Sequence, residues 1–166
     1  MTSAKHTAGL IHWNYFLALE RDLEAISRYI ELTPQNFNTY SIELAHLLFA
    51  AASEVDVVAK LLCERLEPGS KCGNIDQYRA VIMKHLPSAA TTVVKIKRYR
   101  LTSIPWTAWT SGQNPSWWRS YNNVKHERDA HFDQATLGHA IDALAGLMAF
   151  TFHLYRFLLP PDRKSV

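Results

Sequence analysis

Residues 38–66 have the sequence NTYSIELAHLLFAAASEVDVVAKLLCERL, the longest periodic segment of the chain. Its apolar residues recur at steps of three and four, which is the spacing of one face of an α-helix. They are Ile42, Leu44, Leu47, Leu48, Ala51, Val55, Val58, Leu62 and Leu66. No proline or glycine interrupts the pattern, and Pro68 and Gly69 follow it as a stop signal. The stretch therefore predicts one long, central helix.

The segments on either side of this stretch have the same periodicity. Apolar residues at helical spacing predict a first helix over residues 12–30 and a third helix over residues 76–86. A fourth helix is expected to start at Ser116, as its N-cap, and to run to about residue 128. A fifth is expected to start at Asp133, also as N-cap, and to run to about residue 159.

Residues 91–109 break this pattern, because β-branched and aromatic residues mix with basic ones and Pro105 prevents a continuous helix. We expect a short extended segment there, in the form of a hairpin. The predicted fold class is all-α, an antiparallel bundle of about five helices with an irregular insertion before the fourth.

Length and composition indicate a single domain over residues 1–166, because the chain has 166 residues of which 48% are apolar. Residues 1–9 and 160–166 are expected to be loose termini. No secretory signal is visible at the start, so we expect a cytoplasmic protein. The apolar stretch 143–159 is interrupted by His153 and Arg156 and is shorter than the ~20 residues that span a bilayer. We therefore expect a helix buried in the protein and no association with a membrane.

Cysteine and histidine usage points to no metal and no cofactor. Cys63 and Cys72 are expected to be free thiols, because two cysteines cannot form a disulfide framework and their spacing fits no common zinc site. The eight histidines include no His-x-x-x-His pair. His139 and His153 are expected to be hydrogen-bonded residues of the core or its boundary.

The charge is concentrated in the middle of the chain. Residues 71–128 carry ten bases and two acids, a net charge of +8, whereas the remainder has a net charge of −5. A basic face would attract the phosphates of RNA, and the candidate contacts are Lys95, Lys97, Arg98, Arg100 and Arg128. The alternative is a solvated surface whose bases are spread all round the domain.

The segment SWWRSYNNVKHER, residues 116–128, carries the residues most suited to chemistry. On a helical wheel Trp117, Tyr121 and Val124 share one direction. Arg119 and His126 are seven residues apart, about 20° short of two turns, and stack on the opposite face.

The polar face of this segment suits work on a phosphodiester. An imidazole takes or gives a proton near neutral pH, and a guanidinium holds phosphate in a bidentate manner. The supporting polar residues are Ser120, Asn122, Asn123 and Lys125. The alternative is a merely solvated polar face, although two adjacent tryptophans are unusual on such a helix.

An Arg, a polar residue and then a His on the penultimate helix of a small all-α bundle resembles the HEPN superfamily (higher eukaryotes and prokaryotes nucleotide-binding domains). Arg119 and His126 fit with six intervening residues and Ser120 as the polar neighbour, and residues 52–62 resemble the long second helix of that family. The resemblance implies a homodimer whose facing Arg and His motifs form a metal-independent endoribonuclease site. Many such members are toxins or defence nucleases, so an antitoxin protein is a possible partner.

Some toxins of the superfamily carry a tyrosine two positions after the histidine, where an antitoxin adenylylates them. This chain has Arg128 there, so it departs from the pattern on which that regulation depends.

Two functions remain open from the sequence. The first hypothesis is RNA cleavage or binding by Arg119 and His126. The second is a non-catalytic HEPN-like interaction or nucleotide- or RNA-binding module, in which Trp117, Trp118 and the last helix form a protein interface and the Arg and His pair is residual.

Overall fold

The computed structural model of the chain describes residues 9–158, so the expected loose termini lie outside the described residues except for Gly9. Its helices are α1 (Ile11–Ile26), α2 (Ile42–Leu66), α3 (Ile75–His85), α4 (Ser116–His126), α5 (Arg128–His131) and α6 (Leu137–Leu158). The strands β1 (Val94–Ile96) and β2 (Leu101–Ser103) form the one sheet within this range. The predicted all-α bundle is confirmed, with a sixth, four-residue helix that the sequence did not indicate.

Helices α2 and α6 form the centre of the bundle and make its largest helix–helix interface. Helix α1 packs on one side of this pair and α4 on the other. Helix α3 packs on the C-terminal half of α2, where the Tyr78 hydroxyl donates a hydrogen bond of 2.7 Å to Asp56. The predicted central role of α2 follows from its buried stripe, since Leu44, Val55 and Leu62 are completely buried.

Side-chain caps explain where several helices begin. Ser41 accepts a hydrogen bond from the backbone N–H of Leu44 at the start of α2, and Asn74 caps α3 in the same way. The expected caps of the last two long helices are wrong. Helix α4 has Pro115 as its N-cap, which leaves Ser116 as its first residue.

Helix α6 begins four residues after the expected cap Asp133, because α5 and a 3₁₀ turn over Phe132–Gln134 occupy that segment. Thr136 instead accepts the backbone N–H of His139 at the start of α6.

The predicted hairpin before the fourth helix is confirmed. Strands β1 and β2 pair antiparallel, with Val94 opposite Ser103 and Ile96 opposite Leu101. The four residues between the strands form a 3₁₀ turn that ends at Arg100 in the left-handed conformation, with φ 54°. We call residues 95–100, which carry the four bases of the segment, the hairpin tip.

Tryptophan side chains pack the segment after the hairpin against α6. Trp106 stacks on Phe150 with their ring centroids 4.1 Å apart, and its indole N–H donates to the backbone oxygen of Gly146. Trp117 of α4 packs edge-on against Trp106. A Cβ on Gly146 would lie 2.9 Å from Trp117, so only glycine allows the indole to approach the helix this closely.

Helix α6 is long and apolar enough to cross a membrane by length and mean hydropathy, but 72% of its most apolar window is buried inside the bundle. The expected buried helix is therefore confirmed. His153 is buried on it and hydrogen-bonds Thr92, and His139 hydrogen-bonds the backbone oxygen of Gln134, as expected for core and boundary residues. Cys63 and Cys72 are free thiols.

Candidate functional site

Helix α4 separates its residues into two faces, as its sequence predicts. Trp117, Tyr121 and Val124 are buried, whereas Arg119 and His126 are exposed on the opposite side. Their Cα atoms are separated by about 10 Å along the helix axis, because seven residues rise ~1.5 Å each. The guanidinium and the imidazole thus extend into solvent from one face of one helix.

Aromatic packing holds this helix in place. The Trp117 indole N–H donates a hydrogen bond of 3.0 Å to the backbone oxygen of Pro105. One turn later the Tyr121 ring packs edge-on against Phe49 of α2, with ring centroids 6.0 Å apart. The exposed face is therefore presented by a rigid element, which favours precise positioning of its side chains.

The polar neighbours of the motif divide into two groups. Ser120 is only 5% exposed, because it lies on the flank that packs into the bundle, so its hydroxyl is not presented beside the motif. Asn122 donates to the backbone oxygen of Trp118, and Asn123 donates to Gln134 in the turn before α6. Lys125 lies over the Tyr121 ring, 5.5 Å from its centroid. Of the expected supporting residues, Asn123 and Lys125 share the exposed surface with Arg119 and His126.

An open crevice of about 990 Å³ lies beside His126. Its walls are Ile42, Phe49, Val124, Lys125, His126, Arg128, Asp129 and Phe132. The floor is apolar and partly aromatic, and the rim carries three basic or imidazole side chains and one carboxylate. We call this feature the α4 crevice. Its composition suits a ligand with a flat apolar part and a negative charge.

Arg119 and His126 have no hydrogen-bond or ion-pair partner among residues 9–158. Both are therefore free to engage a ligand: the guanidinium can hold two phosphate oxygens, and the imidazole can exchange a proton. In contrast, several bases elsewhere in the basic half are tied to acids. Arg79 pairs with Asp76 at 3.1 Å, and Lys84 pairs with Glu67 at 3.0 Å.

The structure does not bring the hairpin tip to the motif. The tip lies over α1, where Arg98 pairs with Glu24 at 2.6 Å and lies over the Tyr99 ring. Lys95, Lys97 and Arg100 are exposed there. The face of α6 toward the hairpin tip is roughly opposite the Gly146 face that contacts Trp117. The candidate RNA contacts therefore form two separate patches, one around α4 and α5 and one at the hairpin tip.

Sequence reasoning missed the apolar floor of the α4 crevice. Phe49 follows the buried positions of α2 but is only partly buried, and Ile42 is 60% exposed. Phe132 comes from the turn that replaced the expected start of the last helix. One signal was available in the sequence: α2 has more apolar residues than a single buried face of a helix requires, so some of them lie on other faces.

The groups with shifted pKa values lie away from the motif. Burial raises the pKa of Asp142, whose carboxylate accepts a hydrogen bond of 2.6 Å from the Ser103 hydroxyl. Burial also lowers the pKa of His153. Both side chains belong to α6, where they hold the hairpin segment against the core.

Within residues 9–158, no group of three His, Cys, Asp or Glu side chains is arranged to hold a metal ion. No family model, no curated protein and no solved structure matches this chain.

Proposed function

We propose that this protein is a HEPN-like, RNA-binding, metal-independent endoribonuclease of the toxin or defence type, in which Arg119 and His126 act at a dimer cleft. One observation carries the proposal: an arginine and a histidine lie on the same exposed face of α4 with no partner among the described residues, and the histidine lines the α4 crevice. A salt-bridged or enclosed pair would have favoured a structural role.

The chemistry is an attack of the substrate's ribose 2′-oxygen on the adjacent phosphorus. A neutral imidazole accepts the 2′-hydroxyl proton, and an imidazolium gives a proton to the departing 5′-oxygen. The products are a 2′,3′-cyclic phosphate and a 5′-hydroxyl. The Arg119 guanidinium stabilises the charge that develops on the phosphate oxygens.

The α4 crevice supports a position for the nucleotide beside the cleaved bond. A base that has left its stack fits against the Phe49 and Phe132 rings, since such stacking contributes about 1–3 kcal/mol per base. Lys125 and Arg128 at the rim can contact the flanking phosphates. We expect single-stranded RNA to be preferred, because bases in a duplex are not free to enter the crevice.

A dimer would supply the second imidazole that acid and base catalysis uses. Helix α2 exposes Ile42 in its first turn, which is 60% exposed, and Val57 and Leu61 about four turns further along, which are 42% and 41% exposed. Ile42 also lines the α4 crevice, so a second copy packed on the first turn of α2 would lie beside His126. An isologous contact of this kind brings two crevices together around a two-fold axis.

The test is cleavage of unstructured RNA by the purified protein in excess chelator, with analysis of the new ends. We expect 2′,3′-cyclic phosphate ends, loss of cleavage in His126→Ala, and at least a 100-fold loss in Arg119→Ala, as for removal of other preorganised donors. Both variants should keep the wild-type melting temperature, because the two side chains are exposed and have no partner among residues 9–158.

His131→Ala is the matched control, because His131 lies on the neighbouring helix α5 and is not in the α4 crevice. Cleavage that requires magnesium, or that survives both α4 substitutions, would refute the proposed site.

The exposed apolar residues of α2 also favour a second function, that of a non-catalytic HEPN-like module that binds a partner protein or RNA, because exposed apolar surface on a folded domain marks an interaction site. Trp117 and Trp118 are only 2% and 7% exposed, so the interface expected on these two tryptophans is wrong. No cleavage by the wild type across a broad panel of RNAs, together with retained RNA binding, would favour this alternative.

A further inference from the structure

The space beneath the hairpin is a second, separate cavity of about 350 Å³. It lies between α1, the β1 strand and α6, on the side of α6 away from Trp117. Neither Arg119 nor His126 lines it, so a ligand in this cavity would not touch the proposed catalytic residues.

Polar contacts at both ends of the hairpin keep this cavity open. At the tip, Arg98 pairs with Glu24 and the Tyr99 hydroxyl donates to Ser27, which ties the hairpin to α1. At the other end, Ser103 donates to Asp142 of α6. The hairpin thus contacts α1 at its tip and α6 at its other end, and the described side chains do not fill the space between it and these two helices. Unfilled apolar volume lowers stability, and a ligand that occupies it recovers the lost contacts.

The interior of the cavity is apolar and mostly aliphatic. Phe16 and Leu23 line it from α1, Val94 lines it from β1, and Leu144, Ala145 and Met148 line it from α6. Among residues 9–158, its charged lining residues are Glu20, Lys95, Lys97 and Arg98. An interior of this kind offers no hydrogen-bond partners for the edge of a nucleobase, which would leave the polar atoms of the base unpaired.

The mouth of the cavity carries positive charge. Glu24 already pairs with Arg98, whereas Lys95 and Lys97 have no ion-pair partner among residues 9–158. With Arg98 paired to Glu24, the two lysines outnumber the single carboxylate of Glu20 and favour an anionic head group. An aliphatic interior with a cationic mouth is complementary to an alkyl chain that ends in an anion.

We propose that the cavity under the hairpin binds a medium-chain carboxylate, with its alkyl chain between α1 and α6 and its head group at Lys95 and Lys97. The volume has room for about ten to twelve heavy atoms, at roughly 30 Å³ for each water-sized group, which corresponds to a chain of about ten carbons.

Calorimetric titration of the full-length protein with hexanoate, octanoate and decanoate tests the proposal. We expect one saturable site whose affinity rises about fourfold for each added methylene up to decanoate, as expected for burial of alkyl groups. Decyltrimethylammonium, which has the same chain and the opposite charge, should bind much more weakly. Equal affinity for the two head groups, or no saturation with decanoate at millimolar concentration, would overturn the proposal.

Two variants locate the site. Ala145→Leu adds a side chain inside the cavity and should abolish decanoate binding. The exposed double variant Lys95→Gln with Lys97→Gln should keep the fold and weaken decanoate binding about fivefold, the effect of losing roughly 1 kcal/mol of charge interaction.

Lys84→Gln removes one positive charge from α3, far from the hairpin, and is the control that should bind normally. Unchanged binding in the double lysine variant, or tighter binding of adenosine monophosphate than of decanoate, would show that the assigned ligand class is wrong.

Discussion

Gly146 determines how closely α4 approaches α6. In Gly146→Ala the new Cβ would lie 2.9 Å from Trp117 and 3.4 Å from Trp106, and neither buried indole can move away without disturbing the other. Overpacking of this kind costs about 1–3 kcal/mol, which exceeds the ~1 kcal/mol that alanine gains over glycine within a helix. We expect a lower free energy of unfolding in urea.

The double variant with Trp117→Phe tests this explanation, because the smaller ring makes room for the added methyl group. The combined loss should be smaller than the sum of the two single losses. Strict additivity would show that the two residues do not compete for this space.

Asp142 is expected to make stability depend on pH. Burial raises the pKa of this carboxyl, so its contribution to stability is complete below about pH 4 and is lost as the pH rises through the raised value. Asp142→Asn keeps an oxygen for the Ser103 hydroxyl and removes the partly buried charge. We expect its melting temperature at pH 7 to exceed that of the wild type by about 2–4 °C, the shift for roughly 1 kcal/mol in a chain of this size.

The gain in Asp142→Asn should vanish near pH 3.5, where the wild-type carboxyl is protonated in both the folded and the unfolded state. Asp133→Asn, at an exposed position, is the matched control and should show no such trend. A gain that is independent of pH would contradict the assignment to the Asp142 charge.

The hairpin turn has an arginine at a position whose left-handed backbone conformation favours glycine. Arg100 has φ 54°, a conformation that costs an L-residue about 1–2 kcal/mol. Arg100→Gly relieves this strain, which stabilises the folded state. Part of this gain is offset because glycine has more conformational entropy in the unfolded chain, so we expect a net stabilisation of about 0.5–1 kcal/mol. Chemical denaturation measures it.

Lys97→Gly, at a position in the same turn with ordinary backbone geometry, should be neutral or destabilising. If both glycine variants change stability equally, the backbone of Arg100 is not strained.

The sequence predicted the long helices and the two faces of α4 because those depend on local periodicity. Leu44 to Leu62 and the Arg119–His126 spacing repeat with the helix itself, so no tertiary information is needed to place them. Helix starts were less predictable: Ser116 and Asp133 are good capping residues, but Pro115 and Thr136 occupy those positions in the structure.

The α4 crevice and the separation of the two basic patches could not be derived from sequence. Both depend on which faces of α2 and α6 meet which neighbours, and these contacts join residues far apart in the chain. The packing of Trp117 on Gly146 fixes α4 on one side of α6, while the Arg98–Glu24 pair fixes the hairpin tip over α1. Sequence proximity of the bases in residues 71–128 therefore did not imply spatial proximity.

At the scale of the whole molecule, the composite nuclease site requires two copies. We expect light scattering at micromolar concentration to give about 38 kDa, twice the 19.0 kDa of the chain. A stable interface buries about 800 Å² per partner, and Ile42, which is 60% exposed, lies in the first turn of α2 at the crevice where the second copy would pack. Ile42→Glu places a charge in this surface and should give monomers of 19 kDa.

The monomeric variant also separates assembly from chemistry, because it keeps Arg119 and His126 on their exposed face. If the second imidazole comes from the partner copy, RNA cleavage should fall with dimer content and recover at high protein concentration. Ile104→Glu, at an exposed apolar position after β2 and away from α2, is the control that should stay dimeric and active. A wild type that remains at 19 kDa, or a monomeric variant with full activity, would remove the composite site and leave a single α4 to carry out the reaction.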